Sequence, residues 1–528
     1  MKKIKLLFVL FLLLGSFFLI GCTGYNGPGA SCSTDSDCSI GLVCSDGSCS
    51  PSIGEGNEAA NGSGSNVSIP ELIDVDLIVS VPYWTQGDVY LGVGDNATVL
   101  KLNKIDKVIY EGKAKLDMNK KFYFSRGSLN TKSVESFDLS SLPRGLYAVS
   151  DWIDSNKVID KPGFQKGVVF GGMLWRQEDL NTPNIIDYNL DLAKSYGVEW
   201  ISLVNTWYTF PNSSDMQEIK PFYATDGDYP DTDGWSTPTL TDEQLEEIIQ
   251  KAHARGMKVF LKPGITNFGY GPSNHEGGDV APSTGWDHWF EEYTKFAVHF
   301  ADLAEKNHVE MYAIGTELDT SAIEELANMG APSDATDRWR KVISEVRKHY
   351  SGKITFSISC QLNNPTNWNE FPCHAPKNIK FWDDLDYIGF EPYFPLTLDK
   401  DPSIDELVKS FSEKLDSAEY TCAKQLYEKY GKPVVFTELS FHSWNGSNIY
   451  QLNSPQNPEL DLYEQSEQYE AMFEAIENKS WIVGTYPWAW YLIQPSDDMK
   501  WQLRDSDGPF TGKPAGQVIK KWYLKIRN

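Results

Sequence analysis

From Gly167 onward, short apolar runs alternate with longer segments whose apolar residues recur every three or four positions. That alternation is the mark of strands separated by amphipathic helices, and so of βαβ units around a parallel sheet. Eight strands are predicted: Val168 to Met173, Val198 to Asn205, Lys258 to Lys262, Met311 to Gly315, Ile354 to Ser359, Tyr387 to Glu391, Val434 to Thr437 and Ile482 to Trp488. The helix predicted over Thr241 to Ala254 opens on a capping box, Thr241 with Gln244, places Leu245, Ile248, Ile249 and Ala252 on one face, and stops at Gly256. Asp287 to Glu305 is amphipathic in the same way. Eight such units predict an α/β (β/α)₈ barrel across residues 167–524, with its active site at the C-terminal strand ends.

The chain before the barrel reads differently. Between residues 69 and 160, short alternating runs broken by turns predict an all-β, sandwich-like module: Leu77 to Val81, Val89 to Val93, Lys107 to Glu111, Lys121 to Ser125 and Gly145 to Ser150. Residues 22–68 hold Cys32, Cys38, Cys44 and Cys49 in a Gly/Ser/Asp-rich stretch, then a Gly/Ser/Asn/Glu-rich linker from Pro51 to Ser68. So few apolar residues leave disulfides to order the cysteine stretch, in any of three pairings. Within the barrel, Cys360, Cys373 and Cys422 are odd in number, so at least one is free; Cys360 with Cys373 is the shortest closure. Residues 1–21 carry Lys2, Lys3 and Lys5 ahead of an apolar run from Leu6 to Ile20, a signal-peptide pattern too short for a comfortable membrane span.

Composition narrows the partners. A formal charge of −26 argues against nucleic acid or anionic lipid, whose phosphates the protein's field repels. With 17 Trp, 26 Tyr and 26 Phe, the chain has aromatic rings to spare for a neutral ligand. The 8 His are scattered, so no metal or other cofactor is expected. The acidic loop Asp226 to Gly234 could offer oxygens to calcium but lacks a bidentate Glu, and a solvated loop is the simpler reading.

Two strands close on the same tripeptide, Thr316-Glu317-Leu318 at the fourth and Thr437-Glu438-Leu439 at the seventh. A carboxylate at the end of an apolar strand costs free energy without a partner, so a pair of them at one barrel mouth calls for a chemical reason. Glycosidic cleavage supplies one: an acid protonates the leaving oxygen while a second carboxylate attacks or stabilises the cationic centre.

The arrangement is similar to the clan of retaining glycosidases with an acid/base after strand four and a nucleophile ending strand seven. It resembles most closely glycoside hydrolase family 113, whose known members are endo-β-1,4-mannanases. The residues that carry the likeness are Lys262-Pro263-Gly264, Ile314-Gly315-Thr316-Glu317-Leu318, Gly389-Phe390-Glu391-Pro392-Tyr393 and Phe436-Thr437-Glu438-Leu439. The resemblance implies Glu317 as general acid/base, holding its proton near the working pH, and Glu438 as nucleophile, with the carboxyls about 5 to 5.5 Å apart. It further implies that Tyr393 bonds the nucleophile and that Trp488 or Trp490 forms a sugar platform. Thr316 stands where the wider clan has Asn, and Lys262 precedes Pro263-Gly264 where family 113 often has Pro-His, which puts a substrate contact there in question. Glu391 is a third carboxylate, expected to support the site or bind substrate, and the alternative acid.

Trp175, Trp207, Tyr208, Trp286, Trp368 and Trp444 fall near strand ends, where rings can stack on sugars or pack in the core. The run Leu19-Ile20-Gly21-Cys22 resembles the lipobox of prokaryotic lipoproteins, which implies lipidation of Cys22 and an enzyme anchored outside the cytoplasmic membrane. The segments Gly87 to Gly94 and Phe122 to Ser128 look like strand signatures of starch-binding-type modules, an immunoglobulin-like spacer being the other reading. The expected partner is a β-linked polysaccharide, most simply mannan, with glucan, xylan or galactan as alternatives and non-catalytic capture as the rival; no protein partner is inferable.

Overall fold

The computed structural model describes residues 42–45, 48–51 and 72–528, apart from single or paired positions and the segments 138–145, 149–157, 173–179, 210–217, 224–237, 268–281, 361–374, 450–457 and 494–504. The chain divides into two compact units, Met1–Ile69 and Pro70–Asn528. In the first, β1 (Leu42–Ser45) and β2 (Ser48–Pro51) pair antiparallel, with Cys44 opposite Cys49 in the backbone register. Cys22, Cys32, Cys38, Cys373, Trp175, Trp368 and the acidic loop 226–234 lie outside the described residues.

The second unit opens with a β module. One sheet contains β3 (Leu72–Ser80), β6 (Asn103–Lys104), β7 (Ile109–Asp117) and β9 (Leu146–Ala148); the other contains β4 (Tyr90–Val93), β5 (Asn96–Lys101) and β8 (Phe122–Ser125). Val75, Leu77, Val79, Leu91, Tyr110, Phe122 and Phe124 form its core. Strands β5 and β6 do not stand out in the sequence, because most of their residues face solvent and supply no apolar alternation.

After the short β10 (Ile159–Asp160), the barrel begins at β11 (Gln165–Val169), followed by α1 (Ile185–Ser195), β12 (Trp200–Thr209), the short antiparallel β13 (Ile219–Lys220) and α2 (Asp242–Ala254). Next come β14 (Lys258–Asn267), α3 (Trp286–Lys306), β15 (Met311–Thr316), α4 (Ala335–His349), β16 (Lys353–Ser359) and β17 (Ile388–Glu391). The chain continues through α5 (Ile404–Asp416), α6 (Ala423–Tyr430), β18 (Val434–Leu439), α7 (Leu462–Ile476), β19 (Ile482–Pro487), α8 (Pro514–Lys525) and β20 (Ile526–Arg527).

Eight parallel strands run in the order β11, β12, β14, β15, β16, β17, β18, β19, and β19 pairs back onto β11 to close the barrel. Each strand has two buried faces, so its side chains sort by parity. Val169, Val204, Phe260, Met311, Ala313, Val435 and Tyr486 fill the interior. Their neighbours, among them Ile201, Leu203, Val259, Leu261, Ile354 and Phe356, pack outward against the helices. The capping box of α2 forms as the sequence predicts: Thr241 accepts from the Gln244 backbone N–H, and Gln244 returns the bond. Gly256 follows at φ +71°, the left-handed turn that ends the helix. Cys422 is a free, buried cysteine.

Candidate active site

The mouth of the barrel gathers polar residues at inward strand positions. On β14 the inward parity runs Phe260 then Lys262, and on β16 it runs Thr355, Ser357, Ser359. Three register shifts fall in these walls, one between Ala313 and Thr316 in β15 and two in β18, between Val434 and Phe436 and between Phe436 and Leu439. Such bulges re-aim the side chains near them; Glu317 directly follows the shift in β15, and Glu438 lies within the second shift in β18. Glu317 holds φ at +51°, a left-handed conformation that costs a non-glycine residue about 1 kcal/mol or more, and its N–H bonds the Ser357 carbonyl at 3.0 Å. Gly315, two residues earlier, is required by packing: a Cβ there would sit 2.4 Å from the Phe356 ring.

Lys262 is the centre of the constellation. Only 1% exposed, it places its ammonium 2.6 Å from Glu438 Oε2 and 2.8 Å from Glu391 Oε1. Tyr393 donates its hydroxyl to the other oxygen of Glu438, Oε1, at 2.6 Å. Ser357 donates to Glu391 Oε1 and also bonds the Thr437 hydroxyl. Glu391 is fully buried, and its Oε2 has no donor while every neighbouring carboxyl is ionised. The neighbouring Glu317 carboxyl raises Glu391 rather than lowering it, so of the two it is Glu391 that tends to hold a proton.

The electrostatics follow from two buried carboxylates, Glu391 and Glu438, sharing one ammonium. Burial pushes Glu391 up to about 7, with the neighbouring charge of Glu317 adding to the effect and Lys262 opposing it. Burial also raises Glu438, opposed by the Lys262 charge and by the bonds from Lys262 and Tyr393. Burial alone would discharge Lys262, but Glu391 and Glu438 more than offset it and its pKa is raised. Burial likewise holds the Tyr393 hydroxyl protonated, far above its ordinary range, so it remains a donor.

The structure thus joins Glu317, Glu391, Glu438, Lys262 and Tyr393 in one network. Lys262 and Glu391 have no open surface to give a sugar, so the expectation of direct substrate contact is corrected: both are spent on the other carboxylates. Trp488 is partly exposed over the interior apolar cluster, and its backbone N–H bonds the carbonyl of Leu439, next to Glu438. Trp490 is fully buried in the helix layer, its indole N–H on Asn189 and its ring edge-on to Tyr196, which leaves no face for a ligand. Trp207 has the outward parity of β12 and packs on Phe296, His299 and Phe300 of α3, not into the mouth. Tyr208 and Trp444 are buried, and Trp286 packs against Trp289 with its N–H on the Gly330 carbonyl. Ser357 and Thr437 belong to the network although their types drew no attention in the sequence; polar residues at inward strand parity were the signal.

Comparison with known proteins agrees with this geometry. The model of Glycoside Hydrolase Family 113 matches residues 228–503, just over half the chain. Among solved structures, two described as GH113 β-1,4-mannanases align over 68% of this chain and 99% of theirs, at 25% and 24% identity and TM-scores of 0.51 and 0.50. The GH113 β-mannanase AaManA from Alicyclobacillus acidocaldarius aligns over 69% of this chain and 97% of its own, at 21% identity and a TM-score of 0.50. No curated protein sequence matches. With a closed eight-stranded barrel, a carboxylate network at its mouth and this match, the chain belongs to glycoside hydrolase family 113.

Proposed function

We propose that this glycoside hydrolase is a retaining endo-β-1,4-mannanase that works by double displacement. The observation that carries the mechanism is the state of Glu438: one oxygen faces the Lys262 ammonium, the other the Tyr393 hydroxyl, and only 16% of the side chain is exposed. Two strong donors on one carboxylate favour its ionised form and aim it, as a nucleophile requires. Glu438 attacks the anomeric carbon while Glu317 protonates the leaving oxygen; Glu317 then takes a proton from water, which releases the sugar from Glu438. Trp488 provides the stacking face for a sugar ring. The mannan preference rests on the β-1,4-mannanases among the structural relatives.

The test is reducing-sugar release from mannan, glucomannan, xylan, galactan and β-glucan, with Glu317→Ala and Glu438→Ala as controls. Release from mannan that both substitutions abolish supports the reading. Release from another polymer replaces the substrate, and binding without release replaces the enzyme with a capture protein. A lipid anchor at Cys22 on the outer face of the cell membrane is part of the proposal; it rests on the lipobox resemblance and predicts fatty-acid labelling that Cys22→Ala removes.

A further inference from the structure

The hydrogen bond of 2.6 Å from Tyr393 to Glu438 joins two lengths of chain that leave the barrel on separate strands. Tyr393 stands two residues beyond the end of β17, and Glu438 one residue before the end of β18. The pairing of these strands stops at Phe390 and Phe436, so it does not reach the loops that follow, 394–399 and 440–449. Their alignment has to come from elsewhere.

Helix α7 supplies it. A helix laid on a core turns an apolar stripe toward it, yet α7 buries Glu464, Gln465, Ser466 and Gln468 in its first two turns. Glu464, only 6% exposed, accepts the Gly446 N–H on Oε2 at 2.7 Å and the Asn448 N–H on Oε1 at 2.9 Å. The Ser447 hydroxyl, shared with the His442 carbonyl, lies 3.3 Å from the same Oε1. Gln468 donates to Ser447 Oγ, and Gln465 donates to the carbonyls of Phe441 and Gly508. Asn448 carries the hold across to the other loop. Its carbonyl accepts the Leu396 N–H at 2.7 Å, and its side-chain amide donates to the Asp399 carbonyl at 2.7 Å and to Thr397 Oγ1 at 3.2 Å.

Resting on the reading of Glu438 as nucleophile and Tyr393 as its donor, we infer that Glu464 is a positioning residue: its carboxylate holds the loop after Glu438 and, through Asn448, the loop after Tyr393, so that one buried group aligns both ends of their hydrogen bond.

The hold depends on a carboxylate. Each of its oxygens meets a separate backbone N–H, whereas an amide offers one oxygen and turns an N–H toward the other donor. A buried N–H left unmet is costly, so the loop shifts to find a partner. Burial pushes the Glu464 carboxyl up to about 7, opposed by the bonds from the Asn448 and Gly446 backbone. Its place in the first turn of α7, at the positive end of the helix dipole, also favours the anion. The carboxylate therefore prevails on the alkaline side of neutrality.

The experiment is a double-mutant cycle at about pH 8, with kcat and KM measured for Glu464→Gln and Tyr393→Phe singly and together. Glu464→Gln alone should lower kcat about 10-fold with KM little changed, the effect of a misplaced donor. In the Tyr393→Phe background no phenol remains to be misplaced, and the same substitution should lower kcat by no more than about 2- to 3-fold. Glu470→Gln is the control. Glu470 is buried further along the same helix but binds Lys521 and Trp522 of α8, so kcat should stay within about 2-fold of the wild type. Asn448→Ala keeps both backbone bonds to Glu464 and cuts the side-chain tie to Asp399 and Thr397. It should reproduce the defect in smaller measure, again only where Tyr393 is present, and it serves in place of Glu464→Gln should that variant not fold. Equal losses in both backgrounds, or a loss in Glu470→Gln as large as in Glu464→Gln, would leave Glu464 only structural and overturn the inference. Full kcat in Tyr393→Phe alone would instead overturn the reading of the site on which it rests.

Discussion

Replacing Lys262 by Met removes the cation that serves two buried carboxylates while keeping most of the side chain's length. At an effective dielectric of about 20, each contact of 2.6 to 2.8 Å is worth about 6 kcal/mol of attraction, most of it spent on desolvating the ions. Removing one member of a buried pair costs about 3 to 5 kcal/mol, because the other is left buried and unpaired. The penalty depends on pH, and its sign can be worked out. The raised pKa of Lys262 means that its contribution is fully present below its ordinary value of 10.5 and hence constant between pH 5 and 8. In the variant, Glu391 and Glu438 lose the charge that held them down and rise further. A carboxyl raised on folding favours the native state below its ordinary value of 4.5, and that support is lost as pH climbs through the folded value. Denaturant midpoints should therefore show a loss of about 3 to 5 kcal/mol at pH 8 and at least ~1 kcal/mol less at pH 5, where the carboxyls take up protons. In the same variant the acid limb of kcat/KM, set by ionisation of Glu438, should move up by at least about one pH unit. Equal destabilisation at both pH values, with the acid limb unmoved, would refute the assignment of Lys262 as the counter-ion of this site.

Four further substitutions separate the roles of residues in and around the mouth. Tyr393→Phe removes the donor 2.6 Å from Glu438; a hydrogen bond to a charged group is worth about 1.5 to 3 kcal/mol, so kcat should fall roughly 10- to 100-fold with KM little changed in steady-state kinetics. Gly389→Ala puts a Cβ 2.3 Å from the Phe356 carbonyl oxygen and 2.8 Å from Thr355 Oγ1, so β16 and β17 must part just below Glu391. Denaturation should show a loss of about 1 to 3 kcal/mol, accompanied by lower activity. Trp488→Ala should raise KM for polymer with little change in stability, whereas Trp490→Ala, which empties a filled space in the helix layer, should cost about 3 to 5 kcal/mol in the same denaturation assay.

The barrel was legible because each strand buries two faces and each helix one, so strand runs and helical spacing write themselves into the chain without regard to distant contacts. The capping box at Thr241 and the stop at Gly256 are local devices and read directly. The two glutamates were legible because an acid after an apolar strand has few structural excuses. Strand parity would have gone further. Val204 points inward and Leu203 outward, so Trp207, an even number of residues from Leu203, had to face the helices. Trp490 lies past the end of β19, where parity no longer applies, and its burial depends on Asn189 and Tyr196 far off in sequence. In the β module, β5 and β6 went unseen because exposed strands are ordered by their backbone partners.

The contacts of Lys262 itself were not legible, and the reason is geometric. Lys262, Ser357, Glu391 and Glu438 stand on four different strands, and only closure of the sheet brings them within hydrogen-bond reach. A lysine at an inward position is an anomaly in sequence, but which carboxylates it answers depends on the register of four pairings. Once it is placed, its asymmetry carries the argument. Glu438 receives an ammonium and a phenol, both of which favour its charged form; Glu317 receives a carboxyl, which favours a proton between them. Two glutamates alike in sequence, each in Thr-Glu-Leu, are thereby given different electrostatic surroundings by partners that only the closed barrel supplies.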